Sequence, residues 1–291
     1  MACAIAPRLG PSHNLDMQVR FPKWDFSGLR AHWAPHQEFA QIYNAASTVP
    51  AYIEPYLLKV MRIAKAKIDP SNAELHGKLD IFIKQEMQHC KLHLAFNKAI
   101  RADGYEGMLP LEKAYEADYD RFLKTKSLRF NLAYSEGFEA MSAIAVTNFF
   151  EEFDEFMVGA DPRAVAIWKW HLAEEYEHRE VAFDVYHALY GNSVFAWAYR
   201  LYGFYCAITH IRKHTMRVAA YLLEVDRKAM SAEERLASIA RQKVVASATS
   251  RRAKEHLKAI ISWNYNPAAR PAPRGVLALL DKMSDEMAKP A

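Results

Sequence analysis

Apolar residues recur every three or four positions through most of this chain, the spacing that places them on one face of an α-helix. Alternating runs of β-branched residues between turn signals are few, and only 10 of 291 residues are glycine. The pattern therefore predicts an all-α protein. A hydrophobic content of 51% over this length is enough to bury one large core.

Prolines, glycines and capping residues divide this pattern into segments. We expect an irregular N-terminal arm over 1–35, a helical domain over 36–263, and a Pro-rich linker with a short amphipathic tail over 264–291. Pro50 and Pro55 are expected to end one helix and restart the next, because proline does not fit a helix interior. The predicted helices cover about 36–47, 50–68, 71–104, 128–151, 162–190, 194–225 and 231–263.

Two of the predicted helices have charged and imidazole side chains in the middle of the apolar stripe. The interrupting residues are Glu86, His89, His93, His171, Glu175 and His178. Residues three and four apart share a helix face, so each helix presents a Glu-x-x-His pair toward the core. Burying such groups without partners costs several kcal/mol each, and a shared metal ion would supply the partner.

Single glutamates occupy the core stripe of two further helices. Glu54 lies on the helix after Pro50, and Glu136 lies on the 128–151 helix with Glu139 one turn later. One glutamate from each of two helices, with Glu-x-x-His from each of two others, is the ligand set of ferritin-like dinuclear proteins. The sequence therefore predicts a ferritin-like four-helix bundle with additional C-terminal helices. We also expect connecting structure over 151–159, so that the third helix leaves the bundle near Glu151.

Two segments resemble a known bacterial family. FIKQEMQHCKLHLAFN (82–97) and ADPRAVAIWKWHLAEEYEHREVAFDVY (160–186) are similar to the "predicted metal-dependent hydrolase" family of the ferritin-like group, and the resemblance runs from about 45 to 190. EGFEAMSA (136–143) resembles the third-helix segment of that family, which favours Glu136 over Glu139 as a ligand. The match is poorest around Pro50 to Pro55, beside Glu54.

A second resemblance involves the spacing of His171, Glu175 and His178. This order is similar to the ligand pattern of p-aminobenzoate N-oxygenases, which are di-iron enzymes with four glutamates and three histidines. The predicted metal ligands are Glu54, Glu86, His89, Glu136, His171, Glu175 and His178. Additional or supporting residues are expected to be His93, Glu139, Glu174 and Gln85. The alternatives are that His171 only packs beside Trp168 and that His93 is a core histidine.

The predicted ligand set is rich in carboxylates, which suits iron or manganese better than a catalytic zinc site. We therefore expect two iron ions, with manganese or a mixed pair as alternatives, and O2 as co-substrate in the oxidation of a small organic molecule. Hydrolysis by a two-metal site is the main alternative. Iron binding or storage without an organic substrate is the third.

Composition adds fewer constraints on function. The net charge of +4 does not indicate a nucleic-acid partner, and three cysteines at unrelated spacings favour a reducing, cytoplasmic setting. The aromatic stretch 194–211 is expected to line an apolar pocket beside the metals, with an interfacial or membrane-spanning helix as alternatives. The expected partners are an apolar or aromatic small substrate and an electron-donor protein or reductant. Oligomerisation and peripheral membrane contact stay open.

Overall fold

A computed structural model describes residues 17–288, and within that range the chain forms α-helices joined by short connections, with no strand. The helices are α1 Gln37–Lys65, α2 Ala73–Ala102, α3 Met108–Thr125, α4 Leu128–Glu151, α5 Asp154–Met157, α6 Pro162–His178, α7 Val181–Tyr190, α8 Val194–Arg227, α9 Ala232–Ser250, α10 Ala253–Ile260 and α11 Val276–Ala288, with a 3-10 turn over Pro267–Ala269. The all-α prediction is confirmed. The first part of the predicted arm, with Cys3, lies outside the described residues.

Four helices enclose the interior of the bundle. Helix α1 packs against α2 and α4, and α6 packs against the same two, so that α1, α2, α6 and α4 follow one another around a common core. Helix α8 lies across α4 and α1, and α11 packs against α6. This is the predicted four-helix bundle with additional C-terminal helices. Within residues 17–288, every helix is too short or too polar to cross a membrane.

Helix α1 continues through both prolines, so the predicted stop and restart at Pro50 and Pro55 is wrong. Each proline removes one helical hydrogen bond, at a cost of roughly 3 kcal/mol in a helix interior. Burial offsets this cost, because Ile53, Tyr56 and Leu57 beside the prolines are at most 2% exposed. Tertiary packing therefore overrides the local preference.

Other helix boundaries also differ from the predictions. The sequence pattern missed α3, and the predicted 162–190 helix breaks after His178, where Arg179 Nη1 donates to the carbonyl of Tyr176 at 2.7 Å. The predicted 231–263 helix divides into α9 and α10. The predicted 71–104 helix begins instead at Ala73, after the N-cap Asn72, whose side chain accepts from the Leu75 amide.

Two predicted boundaries agree with the structure. The capping box formed by Ser231 and Glu234 opens α9. Helix α4 ends at Glu151, and 151–159 is connecting structure that holds only the four-residue helix α5. The third helix of the bundle therefore leaves the core where the sequence predicts.

Candidate metal centre

Seven buried side chains from α1, α2, α4 and α6 meet in the middle of the bundle. They form two groups whose potential ligand atoms lie within 4.8 Å of one another. The first group is Glu54, His89, His171 and Glu175, and the second is Glu86, Glu139, Glu175 and His178. Every member is at most 4% exposed. Glu175 belongs to both groups, so two cations bound here would share one carboxylate.

The ring of His89 presents Nδ1 to this centre. Nδ1 lies 3.6 Å from Glu86 Oε1 and 3.9 Å from Glu175 Oε1, and it has no hydrogen-bond partner. On the other side of the ring, Nε2 donates to Glu174 Oε2 at 2.9 Å. A proton held on Nε2 leaves the Nδ1 lone pair available to a metal.

His178 has the corresponding arrangement with its nitrogens exchanged. Its Nδ1 donates to Gln85 Oε1 at 3.0 Å, while Nε2 lies 3.1 Å from Glu86 Oε1 and 3.6 Å from Glu139 Oε2. The sequence predicts Gln85 and Glu174 to be additional or supporting residues of the centre. In the structure each one orients the histidine of the opposite helix, which ties α2 to α6 across the centre.

The acceptors are themselves held by the N-terminal arm. Arg20 Nη1 donates to Glu174 Oε1 at 3.0 Å, and Arg20 also pairs with Glu177 at 3.0 Å. Trp170 Nε1 donates to Glu174 at 3.1 Å, and Glu177 accepts from Gln85 Nε2 at 2.5 Å. Sequence reasoning missed Arg20. The unmatched acids Glu174 and Glu177 on α6 were a signal that a cation is needed, but not which cation.

His171 faces the first group. Its Nε2 lies 2.9 Å from Glu175 Oε1 and 3.4 Å from Glu54 Oε1, and its Nδ1 lies 2.7 Å from His93 Nε2. Its ring also lies parallel to that of Trp168, with 6.2 Å between the centroids. The geometry thus brings His171 to the centre as well as beside Trp168. His93 lies outside both groups and pairs with Ser47 Oγ at 2.8 Å.

Of the two glutamates on α4, the structure brings Glu139 into a ligand group, whereas the resemblance favours Glu136. Glu139 lies in the second group, whereas Glu136 Oε1 accepts from Arg200 Nη1 at 3.0 Å. Arg200 comes from α8 and is 1% exposed, so Glu136 neutralises a buried cation. The geometry favours Glu139 over Glu136, because the carboxylate of Glu136 accepts from Arg200 and that of Glu139 has no hydrogen-bond partner.

Many potential ligand atoms at the centre are buried without a hydrogen-bond partner. They are both oxygens of Glu54, Glu86 and Glu139, Oε2 of Glu175, Nδ1 of His89 and Nε2 of His178. Unpaired carboxylates in a protein interior are strongly destabilising. Two divalent cations would balance the four carboxylates of the two groups, and the imidazoles would complete the coordination. The residues present therefore fit a dinuclear metal centre.

The pKa shifts at the centre reflect the burial of several carboxyl groups close to one another. Burial, together with the charge of Glu86, raises the pKa of Glu54 well above its ordinary value, and burial with Glu175 does the same to Glu139. Burial also acts to raise the pKa of Glu175, but the hydrogen bond from His171 and the nearby imidazole of His178 hold it well below its usual range. Burial thus disfavours the ionised forms of Glu54 and Glu139, whereas the neighbouring imidazoles favour the ionised form of Glu175.

A cavity of about 270 Å³ reaches this centre at Glu175. Its other walls come from α4, α10, the end of α6 and the segment 266–273. The sequence pattern predicted that 194–211 would line a pocket beside the metals. None of the residues around this cavity comes from that stretch, because α8 packs against the outside of α4 and α1.

Comparisons with known proteins agree with this geometry at the level of the family. The sequence profile of a family described as "Predicted metal-dependent hydrolase" matches residues 18–270, which is most of the chain. No curated protein and no solved structure gives a significant match. The chain belongs to the family of predicted metal-dependent hydrolases.

Proposed function

We propose that this protein is a hydrolase with a two-metal centre. The observation that carries the proposal is the sharing of Glu175 between two groups of buried ligands, which suits a closely spaced metal pair. The family description supports hydrolysis. When bound, two metals activate water and polarise a carbonyl or phosphoryl oxygen of the substrate.

The residues of the chain have separate tasks in this proposal. Glu54, with His89 and His171, would hold one ion, and the second group would hold the other, with Glu175 between them. Glu174 keeps a proton on His89 Nε2, and Gln85 keeps one on His178 Nδ1. Both imidazoles therefore present a lone pair in a fixed orientation, and their burial keeps bulk water away from the ligands.

O2-dependent oxidation by two iron or manganese ions is the second candidate. The observation that favours it is the ligand composition of four carboxylates and three imidazoles, because anionic ligands stabilise the higher charge of oxidised metals. This chemistry would also require an external electron donor. Iron storage is less favoured, since a cavity that leads to Glu175 provides room for an organic substrate.

Metal substitution separates the two chemistries. The metal-free protein is loaded with zinc, manganese or iron under anaerobic conditions, and hydrolysis of p-nitrophenyl acetate and p-nitrophenyl phosphate is followed. We expect hydrolysis with zinc, and its loss in Glu175→Ala. Glu155→Ala, which changes an exposed glutamate on α5, is the matched control and should retain full activity.

The opposite result supports oxidation. Zinc-loaded protein would then be inactive on both substrates, while the anaerobic iron-loaded protein would develop a new optical absorption on exposure to O2. One tightly bound metal per chain, in place of two, would contradict both versions of the proposal.

A further inference from the structure

The cavity that reaches Glu175 is closed on one side by the segment that the sequence pattern predicted to be a linker. Arg179, next to the candidate ligand His178, donates from Nε to Pro267 O at 3.1 Å and from Nη2 to Ala268 O at 2.9 Å. These bonds fix the segment 266–273 against the end of α6. The wall of the cavity is therefore attached directly to the helix that carries Glu175.

Two hydrogen-bond donors on the lining residues are buried without an acceptor. Arg270 Nη2 is bonded to His256 Nδ1, and a guanidinium can only donate, so Nδ1 is the acceptor and the ring proton lies on Nε2. Both Arg270 Nη1 and His256 Nε2 lack a partner. His256 is only 7% exposed, so an unmatched donor there is costly.

Three arginines and three glutamates line the cavity, but they do not all pair with one another. Arg252 pairs with Glu151 at 3.4 Å and with Glu255 at 3.3 Å. Among the described residues, neither Arg179 nor Arg270 has a carboxylate within ion-pair distance. The lining of the cavity therefore contains two guanidinium groups without a carboxylate partner, together with the unpaired donors on Arg270 and His256.

We propose that this cavity admits the substrate to the metal centre and that Arg270, with His256, binds an oxyanion on that substrate. The substrate class is then a small molecule with a carboxylate or phosphate at one end and the reacting bond at the other. The inference deepens the proposed function and rests on it, because the reacting bond is placed at the metals beside Glu175. Arg270 and His256 would act as specificity-determining residues.

The test measures binding of three probes, benzoate, phenyl phosphate and the neutral benzamide, to the full-length protein with and without zinc. Equilibrium binding is followed calorimetrically, so the readout does not depend on turnover. Arg270→Gln should weaken the preferred anion by about 10- to 100-fold, since hydrogen bonds between charged groups are the stronger class. Arg270→Lys should recover part of that loss.

Three comparisons serve as controls. Benzamide should bind the wild type and Arg270→Gln within about 2-fold of each other, since it lacks the charge that Arg270 recognises. Arg274→Gln, four residues along and outside the cavity lining, should leave all three affinities unchanged. Comparing benzoate with phenyl phosphate identifies which oxyanion fits, and the metal-free protein removes direct binding of either anion to zinc.

The inference is overturned if neither anion binds the wild type, if Arg270→Gln retains full affinity, or if benzamide loses affinity as much as the anions. Its failure is distinguishable from that of the proposed function. Loss of anion binding in Arg270→Gln without any hydrolysis by the zinc-loaded wild type would leave the anion site standing and reject hydrolysis. Hydrolysis by the zinc-loaded wild type, together with an anion affinity that Arg270→Gln does not change, would support the proposed function and reject the anion site.

Discussion

Two glutamates on α4 show how much a role depends on the partner that one side chain meets. Glu136 and Glu139 are both buried, three residues apart on the same helix. Arg200 neutralises the first, whereas the second has no hydrogen-bond partner and lies in a ligand group. The same chemical group is therefore part of an ion pair at one position and a candidate metal ligand at the other.

Glu139→Gln and Glu136→Gln should consequently affect different properties, metal binding in the first case and folding stability in the second. Loss of Glu139 should weaken binding of one metal by more than about 10-fold, the lower range seen for residues that merely support a ligand. Loss of Glu136 leaves Arg200 buried and unpaired, so it should lower the free energy of unfolding by about 3–5 kcal/mol. Metal titration and chemical denaturation of both variants measure the two effects. Equal metal loss in both variants would contradict the distinction.

His171 permits a similar separation of ligation from packing. If its Nε2 completes the first group, His171→Ala should weaken one metal by at least about 10-fold while leaving the second in place. If the ring only packs beside Trp168, the same change should lower thermal stability without altering metal affinity. A cobalt-loaded sample reports on this directly, since its visible spectrum changes with the number of ligands. An unchanged spectrum would remove His171 from the ligand set.

At the scale of elements, the crossing of α4 and α8 is unusually close. A Cβ atom on Gly203 would lie 2.4 Å from the backbone carbon of Ala133, and one on Gly137 would lie 2.6 Å from the Cα of Phe204. Only glycine permits this approach, which also brings Arg200 to Glu136. The close packing of α8 thus decides which α4 glutamate is available to the centre.

Gly203→Ala should therefore destabilise the protein by about 1–3 kcal/mol, the usual cost of overpacking. Gly77→Ala is the matched control, because Gly77 lies within α2 and nothing lies within 4 Å of an added Cβ. That change should be neutral or stabilising by up to about 1 kcal/mol. Thermal unfolding of the two variants measures the difference. Similar effects from both substitutions would mean that the α4–α8 contact relaxes easily.

At the scale of the whole molecule, metal binding should be coupled to proton release. Burial lowers the pKa of His89, but the hydrogen bond to Glu174 and the nearby carboxylate of Glu86 outweigh this and raise it to about 9. Burial and neighbouring charge raise the pKa of Glu54 and Glu139 as well. His89 therefore holds a proton on Nδ1 in the metal-free protein at neutral pH, and a metal that binds there must displace it.

Metal affinity should accordingly fall as pH falls below about 9, by about 10-fold per pH unit for each proton released. Calorimetric titration in two buffers with different ionisation enthalpies counts the protons. Glu174→Gln removes the carboxylate that raises the pKa of His89, so it should reduce the number released. A metal affinity that does not change between pH 6 and 9 would contradict this coupling.

Sequence alone determined the fold class and most of the centre, because apolar periodicity and Glu-x-x-His spacing are local properties of a helix. Placing Glu86, His89, Glu175 and His178 on core faces needs only the helical repeat. The sequence could not decide between Glu136 and Glu139, since that choice depends on Arg200, 64 residues away along the chain. It likewise could not predict that α1 continues through Pro50, where burial outweighs a lost hydrogen bond. The partnership of Arg20 with Glu174 and the 266–273 wall of the cavity exist only once the helices are packed. These contacts join segments that lie far apart in the sequence, where no local periodicity predicts them.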